Sequence, residues 1–200
     1  YYACVNALDV FSLNLAKSFS DTIVYFLKPS EVCSIEFTKL CPSTTIECGL
    51  SNDVNGISRA SLMIDNALNN SRESFEVEIN WKTLNVFHTV AIIKVPNDCN
   101  VAFGDENTNA DFLFPANFEY FNFSNVDREI ILGKRLNDSR KLVVVDEKQQ
   151  MLTDDLITYD CNEIKLKKGL VPSMFTKNKA VIYQDCLGYL MEKISKSVKK

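Results

Sequence analysis

Apolar side chains recur along this chain with two different periods, and the period switches several times. Cys4, Leu8, Phe11, Leu15 and Phe19 follow at intervals of four, three, four and four, which places them on one face of a helix over 4–19. The run "DTIVYFL" (21–27) leaves no room for polar alternation and predicts a buried strand. In "VCSIEFTKL" (32–40), Cys33, Ile35 and Phe37 alternate with Ser34, Glu36 and Thr38, the pattern of a half-buried strand. "TTIECGL" (44–50) is a third short strand, and "SNDVNG" (51–56) is a turn cluster. Ile57, Ala60, Ile64, Ala67 and Leu68 then return to the helical period and predict a helix over 57–68, ended by Asn69 and Asn70. "SFEVEINW" (74–81) alternates cleanly, with Phe75, Val77, Ile79 and Trp81 on one side. It predicts a strand that pairs with "LNVFHTVAIIKV" (84–95) as a hairpin around "KTLN".

The second half reads as strand-rich. "EIILGKRL" (129–136) and "KLVVVD" (141–146) flank the turn "NDS", "LITYDC" (156–161) and "EIKLKK" (163–168) follow, and Pro172 interrupts the run. Tyr183, Leu187, Leu190, Ile194 and Val198 recur at four, three, four and four, which predicts a terminal amphipathic helix over 180–198. Together these patterns predict an α+β fold, mainly antiparallel sheet, with amphipathic helices near 4–19, 57–68 and 180–198. The chain reads as a single domain over 1–200. The polar, turn-rich stretch 96–111 is the candidate for a long loop or a subdomain boundary.

One stretch stands apart. "FLFPANFEYFNF" (112–123) carries Phe112, Phe114, Phe118, Tyr120, Phe121 and Phe123, six rings in twelve positions. Pro115 divides it. If the second piece continues as a strand, Phe118 and Tyr120 face one way and Phe121 and Phe123 the other. A strand apolar on both faces is either central in the fold or covered by a partner. Both readings stay open, with Phe112 and Phe114 the candidates for an exposed apolar plug.

Composition changes this picture little. The 200 residues are 46% hydrophobic and 24% charged, ordinary for a globular protein. The longest apolar runs fall far short of the roughly 20 residues a membrane span needs. The N-terminal stretch has no basic residues ahead of its apolar ones, so it does not read as a signal peptide. The net charge of −4 argues against a protein wrapped around nucleic acid, although "KLKKGL" (165–170) and "KISKSVKK" (193–200) are local basic runs.

Candidate chemistry is sparse. The seven cysteines form no CxxC or Cys/His cluster, so no zinc site is expected, and an odd number leaves at least one thiol unpaired within the chain. The sole histidine, His88, lies in a strand pattern beside Val86 and Val90. A Cys/His-dependent hydrolase or a Ser–His–Asp triad would have to use it, and no GxSxG elbow accompanies it. The adjacent acids Asp105–Glu106, Asp146–Glu147 and Asp154–Asp155 sit at turn signals. "DENTNAD" (105–111) lacks the glycine and glutamate of a calcium loop, and no phosphate-cradling glycine loop exists. No metal and no cofactor are expected.

The order helix, strands, helix, strands across 4–95 resembles one domain of a sliding clamp, which would imply a DNA-tethering accessory protein. The two helices offer only Lys17 and Arg59 where clamp helices present several basic residues to DNA. The expectation that best fits the residues is a non-catalytic interaction or scaffold domain within a larger assembly. Its partner would be another protein or a further copy, met by the six rings of 112–123 and by Tyr183, Leu187, Leu190 and Ile194. An intracellular protein is expected; the alternative is an exported one with glycans at the Asn-x-Ser/Thr sites Asn69, Asn122 and Asn137.

Overall fold

The computed structural model describes residues 1–28, 30–105 and 109–195. The fold is α+β with mostly antiparallel strand pairs. It divides into two compact units, one of Tyr1–Thr89 with the segment that begins at Lys193, the other of Val90–Glu192. The boundary falls inside a strand, and the polar stretch 96–111 lies within the second unit.

In the first unit, β1 (Tyr2–Val5) runs parallel to β2 (Thr22–Tyr25), the two connected through α1 (Val10–Lys17). A short helix, α2 (Cys33–Thr38), leads to β3 (Thr44–Glu47), which pairs antiparallel to β1 with Ala3 opposite Ile46. Then come α3 (Val54–Asn69), a 3-10 turn at Arg72–Phe75, and the first half of β4 (Asn85–Lys94), parallel to β2. Ala3, Val5, Leu13, Ala16, Phe19, Ile23, Met63, Leu84 and Val86 form the core.

Three predicted elements differ. Residues 2–5 are a strand rather than the first turn of a helix. The helix starts where the Asp9 carboxylate accepts the Ser12 N–H at 2.9 Å and satisfies a first-turn donor. The predicted strand at 32–40 is α2. Its Ser34 carbonyl accepts hydroxyls from Thr38 and Ser43, while Phe37 and Leu40 remain exposed. The alternating segment 74–81 forms no ladder, because the Asn14 side-chain amide takes the carbonyls of Phe75 and Val77 that a neighbouring strand would need. Phe75 and Ile79 are still buried, so period-two burial arises there from a turn and irregular backbone. The strand 85–94 accordingly pairs with β2 and not as a hairpin with 74–81.

In the second unit, β5 (Val101–Phe103), β6 (Phe112–Phe114), β7 (Ile131–Arg135), β10 (Glu163–Leu166) and β9 (Ile157–Asp160) lie side by side in that order. β8 (Val143–Val145) pairs antiparallel with Ile92–Lys94 of β4, and α4 (Thr153–Leu156) precedes β9. The β9–β10 hairpin turns through Cys161 and Asn162, both at positive φ. Pro172 sits inside β11 (Val171–Ser173), which is antiparallel to β12 (Gly188–Lys193). The predicted helix over 180–198 is therefore two elements: α5 (Lys179–Gln184) and then β12, with residues 196–198 outside the described part. Asp185 leaves the helical region, and Gly188 stands at φ +154° where a side chain would meet the Phe175 ring. The spacing of Leu187 and Leu190 thus reflects burial in a strand and its approach.

Of the candidate glycan sites, Asn122 donates through its amide to the Phe175 carbonyl and Asn137 to Asp111. No helix among the described residues is long and apolar enough to cross a membrane.

The seat of α3 is set by one residue. Gly56 lies so close to β3 that an added Cβ would stand 1.8 Å from the Cys48 carbonyl oxygen. Gly56→Ala should therefore cost about 1–3 kcal/mol or more, as overpacking against backbone does. Thermal melts followed by circular dichroism should show a midpoint lowered by roughly 4 °C or more. An unchanged midpoint would show that α3 can lift off without penalty.

Candidate interaction surface

The aromatic stretch goes mostly inward. Phe112, Phe114 and Phe118 are buried in the second unit's own core, and so are Leu187 and Leu190. Phe118 is the hub. It stacks on Phe175 with ring centroids 4.5 Å apart and 7° between planes, and it contacts Phe103, Phe114 and Phe121 at 5.9, 4.7 and 6.1 Å. Residues 118–121 form a 3-10 turn and not a strand, so Phe118 and Tyr120 do not share a face: Tyr120 is 82% exposed. Phe121 and Tyr183 are partly buried against the same core. The Tyr183 hydroxyl donates to the Cys99 carbonyl and accepts the Val101 N–H. Phe123 is half-buried at φ +58°, its N–H donating to the Pro172 carbonyl. Ile194 packs against the core of the first unit. Of the ten residues expected to meet a partner, only Tyr120 stands clear on the surface.

Exposed apolar side chains gather on α3, with others, Phe37, Leu40 and Val77 among them, elsewhere on the surface. The apolar positions 57, 64 and 68 were expected to face inward. The helix instead buries Gly56 and Met63, with Ala60 half-buried between them, while Val54, Ile57, Ile64 and Leu68 are 72%, 57%, 55% and 78% exposed. At 100° per residue these four fall in one band about 80° wide, roughly 130° around the helix from the buried face, while Leu62, 59% exposed, lies outside the band. The inversion follows from size. Gly56 lets the start of the helix lie against the Cys48 carbonyl, where no larger residue fits. The signal was present as the small residues Gly56 and Ala60 at helical spacing, followed by Met63 on the same side.

The rotation of α3 is also held by polar contacts at its start. Asp53 caps the helix through the N–H groups of Asn55 and Gly56, and the Tyr1 hydroxyl donates to its carboxylate at 2.7 Å. The Tyr1 bond first, then the Gly56 N–H, holds the Asp53 carboxyl below the usual carboxylate range. The Arg59 guanidinium lies 5.1 Å from the centre of the Tyr1 ring.

Sites for chemistry are thin by comparison. A cleft of about 650 Å³ in the second unit is lined by Arg128, Glu129, Thr158, Tyr159, Asp160, Lys165 and Lys167. Lys165 is paired there, 2.7 Å from the neighbouring Glu163 and 4.0 Å from Asp160. A second cleft, of about 400 Å³, is lined by the amides and hydroxyls of Asn14, Asn66, Asn70, Ser18 and Ser74. A third, of about 550 Å³, lies between Trp81, Lys82, Lys193 and Ile194. His88 lines none of these three and rests beside the Tyr25 ring, centroids 5.3 Å apart. Among the described residues no three His, Cys, Asp or Glu side chains are placed to hold a metal ion.

No protein-family model matches the chain, and no curated protein sequence matches it. A solved structure, murine aminoacylase 3, superimposes on 96% of this chain with 10% identity and a TM-score of 0.46. The chain spans 58% of that protein's length. A likeness of this depth assigns no activity.

All seven cysteines are free thiols, in different settings. Burial pushes the Cys4 thiol up to about 12, with the Glu47 charge adding to it, and burial followed by Asp185 pushes Cys186 to about 11. At pH 8 a thiol with a pKa near 12 is ionised to roughly one part in ten thousand. Iodoacetamide at pH 8 should alkylate the exposed Cys33, Cys41 and Cys161 and spare Cys4, Cys99 and Cys186 until the chain is unfolded, as read by peptide mass spectrometry. Fast labelling of Cys4 or Cys186 in the folded chain would contradict their burial.

The two ends of the aromatic turn should respond differently to truncation. Phe118→Ala should cost about 3–5 kcal/mol, as other buried aromatic deletions do. Tyr120→Ala should stay within about 0.5 kcal/mol. Equal midpoints in urea for the two variants would mean that Phe118 is not the hub.

Proposed function

We propose that the chain is a non-catalytic interaction domain, part of a larger assembly, that docks through the outer face of α3. What carries the reading is the row Val54, Ile57, Ile64 and Leu68, four branched apolar side chains each more than half exposed on one helix. Together they offer roughly 500 Å² of apolar surface, at the upper end of the largest patch a monomer usually leaves wet. Leu50, in the turn ahead of the helix, is exposed as well. Burying each such side chain contributes about 1.5–3 kcal/mol when complete, so covering the row is strongly favoured.

The charged groups support the same reading. The ion pairs Lys39–Glu36, Arg72–Glu76 and Lys168–Glu192 are well exposed on both sides. A docking face with neutral seam positions suits a partner held by apolar packing rather than by charge.

The reading is tested by position-specific cross-linking in cells. With Ile64 replaced by photoreactive p-benzoylphenylalanine, irradiation should give a discrete cross-linked species, which disappears when Leu68→Asp is added. The same probe at Met151, exposed in the second unit, serves as the control. Equal cross-linking at 64 and 151, or a species at 64 that survives Leu68→Asp, sinks the docking face.

A further inference from the structure

The exposed row on α3 has an order that identifies its occupant. Val54, Ile57, Ser61, Ile64 and Leu68 follow at intervals of three, four, three and four, the spacing of a seam where two helices interlock side chains. The positions beside the seam are Ser58, Ala60, Asp65 and Ala67, three of them small and uncharged. A helix laid on this seam can come close, and it meets neither a charged counterpart to match nor a barrier of long side chains.

We infer that the occupant is a second copy of this chain, its α3 packed antiparallel against the first about a two-fold axis. The register follows from the seam itself. In antiparallel pairs the first and fourth positions of the repeat face one another, which here sets Ile57 against Leu68 of the second copy and Ser61 against its Ile64. Each layer then combines residues that fit. The small Ser61 accommodates the large Ile64, and the two ends close with Ile against Leu. The four layers extend about 17 Å along the helix. Asp65 comes opposite Ser58 of the second copy, and the second copy's own Asp65 is offset by about 7 Å along the axis on the same flank. The two helix dipoles run in opposite directions, which an antiparallel pair favours and a parallel one does not.

The area agrees. Roughly 500 Å² of apolar surface covered on each copy gives roughly 1,000 Å² in all, which just reaches the minimum for a specific interface and is the size of a weak, reversible dimer. The contact is isologous, so it closes on itself and does not propagate. The proposal rests on the reading of α3 as a docking face and names what docks there.

The test is sedimentation equilibrium of the whole chain over micromolar concentrations, with circular dichroism confirming that each variant is folded. The wild type should approach twice its 22.7 kDa monomer mass. Ile57→Lys alone and Leu68→Glu alone each place a lone charge in the seam and should weaken self-association by roughly tenfold or more. Combined in one chain, the two changes face one another twice across the antiparallel register. The introduced ammonium of each copy then meets the introduced carboxylate of the other, and the dimer should be restored. A parallel pair would instead bring like charges together.

A monomeric wild type at all concentrations overturns the proposal. So does a dimer that the single changes leave intact, or one that they abolish and the double change does not recover. A monomeric wild type whose residue 64 still cross-links to a different protein would overturn the self-pairing alone and leave the docking face standing. Absence of both self-association and a specific cross-link would remove both.

Discussion

The close seat of α3 against the end of β3 governs what the first unit shows to its surroundings. Gly56 admits the Cys48 carbonyl oxygen where any side chain would collide, and Ala60 and Met63 continue the same inner strip. The Asp53 cap, the Tyr1 hydroxyl on it and Arg59 over the Tyr1 ring hold the start of the helix in one rotation. With the small residues inward, the large apolar ones point outward by geometry. The exposed row is thus not a failure of packing. It accompanies the burial of Gly56, whose missing side chain lets the start of the helix meet the Cys48 carbonyl.

In the second unit the large apolar side chains point inward. The rings of 112–123 fill space around Phe118, and Phe175 stacks on it from a distant part of the chain. Asn122 brackets Phe175 by donating its amide to the Phe175 carbonyl and accepting the Phe175 N–H. Gly188 leaves the room that the Phe175 ring occupies. The aromatic density is used up as internal structure, with Tyr120 the ring left on the surface. The second unit therefore places most of these rings in its own core, while α3 of the first unit leaves Val54, Ile57, Ile64 and Leu68 exposed.

The polar groups fit this division. The ionised residues make short-range pairs at the surface or cap turns and helices, as Asp111 does by accepting the Asn100 N–H and the Asn137 amide. Such pairs stabilise locally and modestly. The side chains that could perform acid–base or nucleophilic work are dispersed: His88 rests on Tyr25, and Cys4 and Cys186 are pushed toward the protonated thiol.

By itself the sequence determined the mixture of helix and sheet, the strands at 22–25, 44–47, 85–94, 157–160 and 163–166, and the turn before α3. Those follow from local period and turn chemistry, which act over a few residues. Only the tertiary structure decided which face of α3 is inner, that 32–40 is a helix, that 74–81 makes no ladder, and that 180–193 changes from helix to strand. In each case a distant group intervened: Cys48 against Gly56, Ser43 on Ser34, Asn14 on Phe75 and Val77, Phe175 against Gly188. A spacing of four, three and four marks residues that share an environment. Whether that environment is the core or the solvent depends on what the rest of the chain brings to the other side.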